Sequence, residues 1–133
     1  MGLYNFQKRF VEYIELGLTD PDHPHAKLHT IRARRKHEDK PGSTMHLYVG
    51  LRHKGARLIA EVPCVAVRDI LIDVGGAINV DGEHLSYSEA EQLALHDGFP
   101  DGHAQMMDFW RREHFAKTGE AAFLGRVYHW GRP

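Results

Sequence analysis

Cysteine is almost absent from this chain of 133 residues: Cys64 stands alone. No intrachain disulfide can form, which excludes a small secreted domain stapled by disulfide bonds. Long apolar runs are missing as well. The longest, Val62 to Val67, has Pro63 inside it and falls far short of the ~20 residues that cross a bilayer. Met1-Gly2-Leu3-Tyr4-Asn5-Phe6 lacks both the apolar stretch of a signal peptide and the Ser or Thr of a myristoylation signal. A soluble, cytoplasmic protein without a membrane partner is the expectation.

Net charge is also scarce, at −1, and that excludes a uniformly basic nucleic-acid coat. The near-zero total conceals a division along the chain. Lys27 to Arg57 carries nine Lys/Arg (Lys27, Arg32, Arg34, Arg35, Lys36, Lys40, Arg52, Lys54, Arg57) against Glu38 and Asp39, a net of +7. The remainder holds eight Lys/Arg against sixteen acids, a net of −8. A basic site on an acidic body fits this pattern.

What is present is enough for one domain over residues 1–133, with 42% hydrophobic residues to build a core. Phe6, Phe10, Ile14 and Leu18 recur at helical spacing and predict an amphipathic first helix from Leu3 to Leu18, ending near Gly17. Asp20 to His25, with two prolines, is a loop. Strands are predicted at Leu28–Arg32, at Met45–Val49, over Arg57–Val67 with Pro63 marking an edge or bulge, and as a hairpin around Gly75-Gly76. Ser86-Tyr87-Ser88-Glu89 has capping-box spacing and opens a helix closed by Gly98. Asp101–Phe115 is read as a second helix and Ala122–Trp130 as the closing strand. The order argues for an α+β fold around a mostly antiparallel sheet or small barrel.

The stretch from Lys27 to Lys36 is the most informative. In a strand, Leu28, Thr30 and Arg32 share one face, and His29 and Ile31 the other. Arg32 and Arg34 present guanidinium forks that match phosphate. The same composition also describes a solvated charged turn.

Lys27-x-x-Thr30-Ile31-Arg32 after a Phe-rich first helix resembles the ASCH domain family, whose fold is a small PUA-like β-barrel. Further resemblances run in order along the chain: Pro41-Gly42 before Leu47-Tyr48-Val49-Gly50-Leu51-Arg52, Cys64-x-x-Val67-x-x-Ile70, Asp81-Gly82-x-x-Leu85, Asp97-Gly98-Phe99, Phe109-Trp110 and Phe123-x-Gly125-x-x-x-x-Trp130. They are similar to the ASCH proteins common in bacteria and phages. The resemblance implies a PUA-like barrel, mixed or antiparallel, with an N-terminal helix and two helices before the last strand. It also implies an RNA-related role and offers an activity. One ASCH branch hydrolyses acetylcytidine at its amide with a Lys, a Thr and a Glu, which fall on Lys27, Thr30 and, as best match, Glu83, with Asp81 and Glu89 nearby.

Such chemistry is sensible for these residue types. A Thr hydroxyl needs a base within hydrogen-bond reach. Lys27 serves as that base only if its pKa is depressed. In contact with Glu83 it suits an oxyanion better, and Glu83 or a water becomes the base. Arg32, Arg34, Arg35, Tyr48 and Arg52 are the candidate contacts for RNA, nucleoside or nucleotide. Without such chemistry, Thr30 is an ordinary strand residue and Lys27–Glu83 a surface ion pair.

Other features carry less. The eleven histidines include His23 and His25 flanking Pro24, which is not a chelating spacing, so neither metal nor cofactor is expected. His29, opposite Thr30, reads as structural, Cys64 as an inert core thiol, and Trp110 and Trp130 as core anchors. Two functions compete: a small amidohydrolase or ribonuclease, and a non-catalytic RNA-binding module, monomeric or weakly dimeric.

Overall fold

The computed structural model describes residues 2–133. Its seven strands are β1 (Gly2–Phe6), β2 (His29–Arg32), β3 (Thr44–Val49), β4 (Arg57–Asp73), β5 (Ile78–Val80), β6 (Glu83–His84) and β7 (Ala122–Trp130). Its main helices are α1 (Val11–Thr19), α2 (Tyr87–His96) and α3 (His103–Trp110). The α+β expectation holds, with one curled seven-stranded sheet forming a half-barrel.

The long strand β4 makes the curl. Its first half pairs antiparallel with β3 up to Pro63, and its second half pairs antiparallel with β7 from Cys64 onward. Proline has no N–H for a ladder, and the register slips between Cys64 and Ala66, leaving Val65 exposed. The partner switch therefore falls where the backbone cannot continue an even ladder. β7 in turn pairs with β2, and β3 pairs with β1 in parallel.

The N-terminus corrects the predicted first helix. Residues 2–6 form β1, a 3-10 turn follows at Lys8–Phe10, and only then does α1 begin. Phe6 fits helical spacing, but Gly2, Tyr4 and Phe6 also alternate inward against Leu3 and Asn5. Pairing with β3 decides between the two periods, and the buried Tyr4 hydroxyl donates to Asp39 at 2.6 Å. The capping box at Ser86 and Glu89 forms as the sequence predicts. The helix expected to Phe115 keeps its α geometry only to Trp110. Arg111–Phe115 widens into a π turn before a last helical turn, Ala116–Thr118.

Buried Tyr4, Ile14, Met45, Leu47, Ile70 and Met106 belong to a single core between the curled sheet and the helices. No described helix is long and apolar enough to cross a membrane.

Candidate active site at the open seam of the half-barrel

β1 and β2 approach one another without pairing, and Arg32 bridges the seam. Its guanidinium donates to the Asn5 carbonyl at 2.9 Å and to Thr30 Oγ at 3.0 Å. It also lies 4.8 Å over the Phe6 ring. Burial, with Arg35 adding to it, pulls the Arg32 pKa down to about 10, so Arg32 stays a cation at neutral pH. Beside this bridge opens a cleft of about 650 Å³. Phe6, Phe10, Phe99, Phe109, Trp110 and Phe123 supply aromatic wall. Lys27, Thr30, Arg32 and Asp97 supply polar groups, and Asn5, Gln7, Arg52, Glu113 and His114 also line it.

Lys27 is buried because three neighbours hold its backbone in place. Its N–H donates to the Tyr13 carbonyl of α1 at 2.9 Å, and the next amide, Leu28, donates to the His96 carbonyl of α2 at 2.9 Å. Gly17 makes the first contact possible, since a Cβ there would sit 2.6 Å from the Lys27 carbonyl oxygen. Gly98, at φ +98°, ends α2 and leaves room for the Lys27 methylenes: a Cβ there would meet Phe10 at 2.8 Å and Lys27 Cδ at 3.1 Å.

The Lys27 ammonium then reaches the end of α2. Nζ donates to the Asp97 carbonyl at 2.5 Å and to Asp97 Oδ1 at 3.0 Å, and it lies 5.0 Å over Phe10 and 5.6 Å over Phe6. A cation at a helix C-terminus, between two acceptors and two ring faces, is favoured as a cation. Only 3% of Lys27, 3% of Thr30 and 5% of Asp97 is exposed. Burial pulls the Lys27 pKa below the usual lysine value, and the Asp97 carboxylate opposes that. Burial likewise raises Asp97, against the pull of Lys27 and Arg32.

Lys27, Thr30, Arg32 and Arg52 of the predicted site thus line one cleft. Glu83 does not join them. It is exposed on β6 and lines a separate depression with Arg68, Asp81, His84 and Glu89. The carboxylate that meets Lys27 belongs to Asp97, which the sequence offered only as part of Asp97-Gly98-Phe99. Nor do Arg34, Arg35 and Tyr48 line the cleft. Arg34 pairs with Asp69 at 3.6 Å on the surface, and Arg35 stacks 3.9 Å over Tyr4. Tyr48 sits on β3, half-buried.

Two lining residues, Glu113 and His114, come from the π turn. A helix read at regular spacing gives no sign of that turn. π turns concentrate at functional sites. Among the described residues, no group of three or more His, Cys, Asp or Glu is arranged to hold a metal ion.

Comparison with family models, with curated proteins and with solved structures gave no match for this chain.

Proposed function

We propose that the chain is an ASCH-type, PUA-like protein whose cleft takes a nucleoside or a nucleotide of RNA and hydrolyses an acyl amide on it. The observation that carries this reading is that Lys27 and Thr30 line the same aromatic-walled cleft, with a buried carboxylate holding the lysine as a cation. Aromatic rings suit a stacked base. A buried ammonium suits the oxyanion that develops when an acyl carbon is attacked.

In this reading Thr30 Oγ attacks the acyl carbon. The Arg32 Nε–H already donated to that oxygen stabilises it as its proton leaves. Lys27 meets the acyl oxygen, and a water in the cleft, serving as the base in place of Glu83, takes the Thr30 proton and passes it to the departing amine. Water then releases the acid from the Thr30 ester. Asp97 replaces Glu83 as the carboxylate partner of Lys27, and its role is to hold Lys27 charged.

The test is turnover of N4-acylated cytidines and of short RNAs. Lys27→Met and Thr30→Val are each expected to lower kcat by roughly 10²-fold or more, while Glu83→Gln keeps the wild-type rate. Wild-type protein inactive on every substrate refutes the catalytic reading. Full activity of Lys27→Met refutes the site.

A second reading, a non-catalytic binding module for RNA or a nucleotide, is favoured by one specific feature. Two of the five donors of Arg32 and two of the three of Lys27 already serve contacts within the protein. That reading predicts ligand binding without turnover, weakened by Arg52→Ala and falling with salt.

A further inference from the structure

His29 lies behind the Lys27–Asp97 pair and has no part in the mechanism above. Only 4% of it is exposed. Its Nε2 is 3.4 Å from Asp97 Oδ1, the same oxygen that receives Lys27 Nζ. That buried nitrogen makes no well-formed hydrogen bond, at Asp97 or elsewhere, and Asp97 Oδ1 lies within reach of a small turn of the ring. A buried polar atom left unpaired is costly, so the Asp97 contact is the one this ring is placed to make.

The surroundings decide which atom holds the proton in that contact. Lys27 approaches His29 from the segment before β2 and His96 from the end of α2, while Arg32 of β2 acts on Asp97. His129 approaches from β7, its ring 5.2 Å from that of His29. Burial first, then Lys27, His129 and His96, hold the His29 pKa well below the ordinary value, so the ring is neutral and carries one N–H. Lys27 sits among two oxygen acceptors and two ring faces, an environment for an ammonium. An ammonium there calls for a carboxylate at Asp97, and a carboxylate oxygen can only accept.

We propose that His29 is a positioning residue of this site: as the Nε2–H tautomer it donates to Asp97 Oδ1 and fixes the carboxylate that keeps Lys27 charged and aimed at the cleft. The link to turnover rests on the hydrolase reading above; the hydrogen bond itself does not.

The test starts with nitrogen-15 NMR of the imidazoles in the full, unliganded chain at neutral pH. The expected result is His29 protonated at Nε2 and bare at Nδ1. His29→Leu is expected to move the Asp97 carboxyl carbon signal toward its protonated position. His29→Gln, whose amide can donate from about the same place, returns it.

On any substrate the wild type accepts, His29→Leu should lower kcat by about tenfold or more with little change in KM. His29→Gln should recover most of the loss. A purely structural histidine would not show that rescue or that carboxyl shift. An Nδ1–H tautomer overturns the proposal, and so does an Asp97 signal unmoved in His29→Leu. Should His29→Leu fail to fold, the tautomer in the wild type still decides. Absence of any wild-type turnover refutes the hydrolase reading and leaves the NMR result to judge this one.

Discussion

Replacing Asp97 by Asn removes one charge and almost no volume, and leaves Lys27 facing a carbonyl and two rings without a counter-ion. Two limits bound the cost. If the ammonium persists, an unpaired buried charge costs roughly 3–5 kcal/mol. Lys27 can instead shed its proton, at about 1.4 kcal/mol for each pH unit below the ordinary lysine value of ~10.4. That ceiling is about 4.6 kcal/mol at pH 7 and about 1.9 kcal/mol at pH 9. Asp97→Asn is therefore expected to destabilise by roughly 3–4 kcal/mol at pH 7 and by less than about 2 kcal/mol at pH 9. Lys27→Met leaves Asp97 as the unpaired charge, while its apolar chain still packs over Gly98. The double variant buries neither charge and should recover at least about 2 kcal/mol relative to the sum of the single changes. Urea unfolding followed by the fluorescence of Trp110 and Trp130 measures all four proteins. A loss below about 1 kcal/mol at pH 7, a cost independent of pH, or additive single effects would each refute the buried ion pair.

Two further outcomes follow from the same packing. Burial holds both His29 and His129 below the ordinary imidazole value, so below pH ~6.5 the unfolded chain takes up protons that the folded chain does not. Their contribution to stability is present above that pH and lost as pH falls, at up to about 1.4 kcal/mol per unit for each ring. Equal or greater stability at pH 5 than at pH 7 in urea titrations would show that these rings are not buried as neutral species. Gly17→Ala gains about 1 kcal/mol of helix propensity but places Cβ 2.6 Å from the Lys27 carbonyl oxygen. A net loss of roughly 1–3 kcal/mol is expected in the same assay; a stabilised variant would mean that α1 does not clamp this segment.

Some of this was legible one element at a time. The capping box at Ser86 and Glu89, the strand from His29 to Arg32 and the closing strand to Trp130 depend on local spacing and formed as read. Residues 2–6 were not, because Phe6 serves a period of two as well as a period near four, and only a partner strand distinguishes them. The π turn at Arg111–Phe115 keeps the composition of a helix while changing which side chains meet the cleft.

By itself, the sequence determined the α+β class, the order of most elements and the presence of Lys27, Thr30 and Arg32 on one basic stretch. Those properties follow from neighbours a few residues apart. Which carboxylate meets Lys27 was decided only by tertiary structure. Glu83 and Asp97 are both acids close to α2, one before it and one after it. The backbone bonds from Lys27 to α1 and from Leu28 to the last turn of α2 bring the lysine to the C-terminal end of that helix. There the final carbonyl and the Asp97 carboxylate converge on one ammonium. The +7 segment was likewise divided by the fold, with Lys27 and Arg32 drawn into the cleft and Arg34 left on the surface. Charge sums along a chain, whereas burial and partner distance, which set what each charge can do, exist only once the chain has folded.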